Sequence, residues 1–411
     1  MISAANRLSG FPESRFFIYL SLMDSTEERA GLCALNRIFG FEPRIAHALL
    51  GHFGSAAEIF RTDSREIDEI LGPYSRYRGA VSRKALEQSA AEIDRLSPDA
   101  ITFIGISDPD YPALMKECED APVGLYVRST TPVREIFSRN KKIAVVGTRD
   151  ISPYGQEWCR KIVESIAESA DPPLIISGLA LGTDICAHKT AVESGIPTIG
   201  IMATGPETIY PYRHRTFAEQ MTNTSGCALV TDYPPGTAPL AIHFLRRNRI
   251  IAGLSEATIL IESRNRGGGM MTARLAFSYS RDVYALPGRA DDIRSQGCNM
   301  LIREKVAEPV TDIASLQKSL GLTCSRKRCH PDIHDVLDNS YKGTLNKEHI
   351  TMMAELLLSI RNNRGLTIEE LADLTGMGFS QTSSLARTLE ADGFITIDLM
   401  QRCCIKTWKY G

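Results

Sequence analysis

Between Ile143 and Leu286 six short apolar runs recur with helix-length segments between them: Ile143 to Gly147, Leu174 to Gly178, Thr198 to Ala203, Ala228 to Tyr233, Ala257 to Glu262 and Asp282 to Leu286. Each run is apolar on both faces, so each strand must be covered twice. Strands of that kind alternating with helices imply an α/β domain, an extended Rossmann-like parallel sheet with helices on both faces. Two further runs, Ile101 to Ile104 and Gly124 to Val127, precede the regular part. In such sheets ligands bind beyond the carboxyl ends of the strands, so the loops after the runs carry the functional information.

Four of those loops hold small or charged residues. Gly147-Thr148-Arg149 follows the first run, with Pro153 opening the next helix; Gly147 lets a ligand approach the backbone and Arg149 reaches over it. Ser177-Gly178-Leu179-Ala180-Leu181-Gly182-Thr183-Asp184 is a glycine-rich turn that enters a helix with Thr183 or Asp184 as N-cap, and its free N–H groups suit a phosphate oxygen. The glycine spacing is not that of a dinucleotide fingerprint, and no P-loop lysine follows.

The third is Phe244 to Ser255, read as a helix with Arg246, Arg247 and Arg249 on its first turns. Cations at the positive end of a helix dipole are unfavourable unless an anion faces them. Either a network of Asp and Glu side chains or a bound polyanion meets that need. The fourth is Arg264-Asn265-Arg266-Gly267-Gly268-Gly269-Met270-Met271-Thr272, three consecutive glycines behind two arginines and before another helix. Each alone is compatible with a tight turn; together they describe an anion-binding edge with no evident nucleophile.

Two carboxylates bear on a catalytic alternative. Asp184 and His188 stand at i, i+4 and form an acid/base pair only if Asp184 is not a cap and His188 is not packed among Ala187 and Ala191. Glu262, at its strand end beside the glycine loop, is the activating carboxylate required by a nucleotide-processing, phosphoribohydrolase-like enzyme, or else a partner for Arg264 or Arg266. Cys324, Cys329, His330 and His334 have a Cys-x4-Cys-His-x3-His spacing that departs from the usual zinc knuckle, so no metal and no cofactor is expected.

The flanks differ in pattern. Residues to about 26 look like an extension; Leu32, Leu35, Ile38 and Phe39, then Ile45, Leu49, Leu50 and Phe53, keep helical spacing across a turn at Gly40 to Pro43. Residues 1–98 therefore read as an extension and a small helix-hairpin-helix or SAM-like domain. Its hairpin favours packing over DNA contact, because Glu42 repels phosphate and Pro43 has no N–H. Residues 99–320 hold the Rossmann-like domain and 321–345 a polar linker. In 346–411, helices at Ile350 to Ile360, after the capping box Thr367 to Glu370, and at Ser380 to Asp392 precede a wing, Phe394 to Ile397 with Cys404 to Lys406. This is a winged-helix pattern. Its recognition helix has Arg387 as its single cation, which argues against a duplex-reading transcriptional regulator and leaves protein contact or weak DNA contact.

Composition narrows the class. With a formal net charge of −2, any nucleic-acid site must be a local basic patch. The ten cysteines sit in apolar contexts as reduced thiols, Phe16 to Leu20 is too short for a signal peptide or membrane span, and a cytoplasmic location with no membrane partner is expected.

Several uncommon strings recur in one order. Gly147-Thr148-Arg149, Ser177 to Asp184, Arg247-Asn248-Arg249-Ile250-Ile251-Ala252-Gly253-Leu254-Ser255, and Pro287-Gly288 with Gly297-Cys298-Asn299 resemble the signature of the DprA/Smf family of bacterial DNA-processing proteins, strongly over about Asp108 to Ser319. The resemblance implies an extended Rossmann fold, single-stranded DNA binding without sequence preference, a homodimer, and loading of RecA onto DNA held by single-strand-binding protein in natural transformation. It places the DNA pocket on Gly147, Thr148 and Arg149, on Ser177 and Gly178, and on Arg247, Asn248 and Arg249, with Gly267 to Gly269 completing it; Arg246 and Arg266 are the adjoining cations. Two positions depart from the family pattern: Leu245 stands where many members have proline, and Gly268 or Gly269 where they have serine.

Overall fold

Each of the eight apolar runs is a strand in the computed structural model, which describes residues 13–96, 100–323, 333–341, 345–363, 365–398 and 400–405. The chain divides into two units, Met1–Ser325 and Arg326–Gly411. The first begins with five helices: α1 (Glu13–Phe39), α2 (Pro43–Phe53), α3 (Ala56–Arg61), α4 (Ser64–Leu71) and α5 (Arg83–Leu96). Then come β1 (Ile101–Gly105), α6 (Ala113–Lys116), β2 (Gly124–Arg128) and α7 (Val133–Phe137). The alternating part follows as β3 (Lys142–Val146), α8 (Pro153–Ala167), β4 (Leu174–Ser177), α9 (Thr183–Glu193), β5 (Thr198–Ile201), α10 (Arg215–Thr222) and β6 (Ala228–Thr231). It continues with α11 (Ala241–Gly253), β7 (Ala257–Leu260), α12 (Gly268–Ser278), β8 (Asp282–Ala285), α13 (Gln296–Arg303), β9 (Glu308–Pro309) and α14 (Ile313–Ser319).

The nine strands form one sheet in the order β1-β2-β6-β5-β4-β3-β7-β8-β9. From β6 to β9 every pairing is parallel, and β2 runs antiparallel to both β1 and β6. The chain enters at β3, moves outward through β4 and β5 to β6, then returns to lay β7 on the other flank of β3, with Ile143 opposite Ala257 and Val146 opposite Leu260. That reversal makes the β3–β7 boundary the topological switch point, where two successive connections leave in opposite directions and open a crevice.

The doubly apolar runs are explained by two cores. Ile143 and Val145 face a core with Cys159, Ile162 and Ile166 of α8 and Ala187 of α9, while Ala144 and Val146 face one with Ile250 and Ile251 of α11 and Ala273 of α12. Each buried Ile or Val contributes roughly 1.5–3 kcal/mol, so a polar residue at any of these positions loses that and adds an unmet polar group.

Helix α1 starts at Glu13, inside the stretch read as an extension, and no helix among the described residues is long and apolar enough to cross a membrane. The helical region shares its core with the sheet: Leu32, Leu35, Phe39, Leu49 and Ile59 pack with Phe103 of β1 and Tyr126 of β2.

The second unit contains α15 (Ile333–Ser340), α16 (Lys347–Asn362), α17 (Ile368–Thr375), α18 (Phe379–Ala391) and an antiparallel hairpin, β10 (Ile395–Ile397) with β11 (Cys403–Ile405). The capping box forms at Thr367 and Glu370, and Gly376 takes the left-handed conformation that ends α17. Helix α15 lies within the stretch read as a linker. Its polar surroundings hide it: Ile333 and Leu337, one turn apart, are buried in the core of Ile350, Met353 and Leu357, and Val336 packs against the same core. Of the eight described cysteines, all unpaired, seven are buried; Cys404 is exposed.

Candidate nucleic-acid interface

At the switch point the connections after β3 and β7 part and leave a recess of about 280 Å³. Its walls are Gly147, Thr148 and Arg149 after β3, Ala180 and Asp184 at the entry to α9, Phe244, Leu245, Arg247 and Asn248 of α11, and Ser263, Arg264 and Arg266 to Gly269 before α12. Three of the four glycine and arginine stretches singled out in the sequence therefore meet at one place, joined by the end of the fourth.

Its charge is one-sided. Arg149, Arg264 and Arg266 are exposed, and among the described residues none has a carboxylate oxygen within 4.0 Å. Arg247 is 5% exposed; Nη1 donates to the Ile201 carbonyl, while Nε has no partner among the described residues. Burial pushes its pKa below the usual guanidinium value, with Asp184 opposing that shift and Arg149 adding to it. Burial raises the Asp184 carboxyl, and Arg247 and the Ala180 N–H pull it back. Arginine stays protonated under all of these conditions, so four cations face one carboxylate.

Backbone adds to the field. Helix α12 opens at Gly268 with Gly267 as N-cap and no side-chain cap, which leaves N–H groups at the positive end of a helix beside the recess. The Asn248 amide donates to the Gly268 carbonyl at 3.4 Å and ties this turn to α11.

Other residues shape the site without lining it. The buried Ser177 hydroxyl donates to the Val145 carbonyl at 2.6 Å. Gly178 underlies the Arg247–Asp184 pair: a Cβ there would lie 2.3 Å from both Arg247 Nη1 and Asp184 Oδ2. Gly182, at φ +77°, is the N-cap of α9, in place of the Thr183 or Asp184 read from the sequence. Thr183 donates to the Thr148 carbonyl through both N–H and hydroxyl, and Asp184 accepts from the Ala180 N–H at 3.3 Å.

Two of the three α11 arginines go elsewhere. The helix begins at Ala241, a turn earlier than the sequence reading, so Arg246 to Arg249 lie beyond the first turn, where the dipole penalty fades. Arg246 donates to the Gly40 and Phe41 carbonyls in the α1–α2 hairpin, and its guanidinium sits 4.5 Å above the Phe41 ring. Arg249 is buried, paired with Asp232 at 2.5 Å and donating to the Asp120 carbonyl. At about 100° per residue, neighbouring arginines on a helix are aimed apart; Arg246 and Arg249 are turned to protein groups away from the recess, and of the three Arg247 lines it.

The catalytic alternatives are placed just as plainly. His188 is fully buried with Nε2 2.6 Å from the Gly178 carbonyl and Nδ1 2.7 Å from the Thr198 hydroxyl, and burial pulls its pKa down to about 4. Glu262 accepts from the Ser152 N–H and hydroxyl at the start of α8, at 2.9 and 2.5 Å, and does not line the recess. Cys324, Cys329 and His330 lie outside the described residues; among those described, no three His, Cys, Asp or Glu side chains are grouped to hold a metal. Sequence reasoning missed Ser263 in the lining, and it included Thr272 in the fourth stretch without giving it a role. Thr272 donates to the Gly268 carbonyl, one turn back, a signal available in the spacing.

Comparison with known proteins follows this geometry. Residues 102–321 match the family described as DNA recombination-mediator protein A. Protein Smf of Escherichia coli (strain K12) is 31% identical over 316 residues, 76% of this chain and 79% of its own. The DNA processing protein DprA of Streptococcus pneumoniae is 36% identical over 239 residues, 57% of this chain and 82% of its own. The X-ray structure of DNA processing protein A from Streptococcus pneumoniae aligns with a TM-score of 0.56 at 28% identity, covering 72% of this chain and 95% of that one.

Proposed function

The chain belongs to the DNA recombination-mediator protein A family, and from that membership we propose that it binds single-stranded DNA at the switch-point recess and acts as a recombination mediator. The observation that carries the reading is the set of Arg149, Arg264 and Arg266, exposed and, among the described residues, with no carboxylate oxygen within 4.0 Å, around a recess that also holds Arg247 and the N-terminus of α12. Guanidinium groups and backbone N–H groups contact phosphates whatever base they carry, so binding is sequence-tolerant and weakens with salt. A duplex, stiff over roughly 50 nm, cannot bend its phosphates into so small a recess, whereas a single strand can.

Release of the bound strand to RecA, displacement of single-strand-binding protein and pairing of two copies complete the role, as the DprA/Smf resemblance implies. The enzyme reading has less support: its carboxylate, Glu262, is held at the start of α8. The test is RecA filament growth on DNA precoated with single-strand-binding protein. Addition of this chain should relieve the block, and Arg149→Glu should abolish the relief. A block that persists at saturating protein would refute the mediator role.

A further inference from the structure

Two large aromatic side chains stand in solvent beside the recess: Tyr210 is 48% exposed and Tyr212 75%. They are continuous with it. The Arg149 guanidinium lies 5.6 Å from the centre of the Phe244 ring in the recess wall, and the Phe244 ring is 5.3 Å from Tyr210. Two residues on, the Tyr212 ring carries the Arg215 guanidinium at 5.9 Å. Next to Tyr212 in the chain, Arg213 is exposed, with no carboxylate within 4.0 Å among the described residues. The result is a run from Arg149 over the touching rings of Phe244 and Tyr210, continued along the chain by Tyr212, Arg213 and Arg215.

The line is held on a fixed base. Buried His214 joins the segment to the Leu179 carbonyl through Nδ1 at 2.9 Å. The Thr204 hydroxyl donates to the Thr208 carbonyl at 2.5 Å and the Gly205 N–H to the Thr237 carbonyl at 3.1 Å. The nearby acids are already engaged: Glu207 accepts from the Gly236 N–H at 2.7 Å, and Glu219 pairs with Arg215 at 2.8 Å. Exposed rings interleaved with cations match a polymer that alternates flat bases with phosphates.

We propose that a single strand held in the recess continues outward over Tyr210 and Tyr212, which form a stacking track beyond the phosphate site. This rests on the single-strand reading of the recess. Bases stack on the two rings and Arg213, beside Tyr212, meets a phosphate of the same strand, so the footprint on one copy of the chain exceeds what the recess accommodates.

The test compares oligo-dT of 4 and 20 nucleotides by fluorescence anisotropy with the full chain. Tyr210→Ala with Tyr212→Ala should weaken the 20-mer about tenfold or more, a loss expected when base–aromatic stacking is removed. The 4-mer should bind as it does to the unaltered chain. Tyr210→Phe with Tyr212→Phe should bind both oligomers normally, because stacking needs the ring and not the hydroxyl. Equal 20-mer affinity in the alanine variant, or equal losses for both lengths, overturns the track while leaving the recess as the DNA site. Failure of the unaltered chain to bind either oligomer removes both proposals.

Discussion

Replacing Arg149 by alanine should change how binding depends on salt, and the size of the change follows from the ion pairs. Three recess arginines, Arg149, Arg264 and Arg266, have no carboxylate partner among the described residues and are the groups available to phosphates. For single strands each neutralised phosphate contributes about 0.7 to the slope of log affinity against log salt, so three give a slope of about −2. Between 50 and 200 mM salt, affinity then falls roughly 20-fold. Arg149→Ala removes one contact, reducing the slope to about −1.4 and the fall to about 7-fold, so the variant's defect narrows as salt rises. Arg246→Ala is the control: that guanidinium is held by the Gly40 and Phe41 carbonyls, and its loss should leave the slope unchanged. The assay is anisotropy of the labelled 4-nucleotide oligo-dT, which stays within the recess, across a salt series. A wild-type slope in Arg149→Ala, or a reduced slope in Arg246→Ala, would refute the assignment of charges to phosphate and protein.

Arg249→Ala should act on folding, because it strands the 6%-exposed Asp232 carboxylate; breaking such a buried pair costs about 3–5 kcal/mol, read as a lower urea midpoint. Gly178→Ala should weaken DNA binding at unchanged secondary structure, since the new methyl must displace Arg247 or Asp184; normal affinity by anisotropy would show that their placement is immaterial. His188 gives a pH dependence. Its folded pKa of about 4 lies below the ordinary 6.5, so the unfolded chain takes up the proton first and stability is lost as pH falls from about 6.5 toward 4. At pH 5 that loss is about 2 kcal/mol relative to pH 7. His188→Asn should remove that part of the acid sensitivity in urea titrations, and an unchanged pH profile would contradict it.

The strands and glycine loops were legible because each is written locally. A run apolar on both faces needs two covers, and β3 shows them, with Ile143 and Val145 in one core and Ala144 and Val146 in the other. The fate of the arginines was not local. Arg246 meets carbonyls some two hundred positions earlier, and Arg249 meets Asp232 and Asp120, so their electrostatic problem is solved by groups that no window around α11 contains. Glu262 illustrates the same limit, since its partner Ser152 is 110 residues away. Helix α15 escaped notice for a different reason: Ile333, Val336 and Leu337 keep helical spacing, but a single turn of it inside a charged stretch does not stand out from a linker.

Competition between strands at the recess tests the central claim most directly. Labelled oligo-dT bound to the full chain is challenged with unlabelled single strand or duplex of equal length, alongside the Arg149→Ala, Arg264→Ala, Arg266→Ala triple variant. Single strand should compete far better than duplex, and the triple variant should lose binding while keeping its thermal unfolding midpoint. Equal competition by duplex, or undiminished binding by a folded triple variant, would contradict a single-strand site built from these arginines.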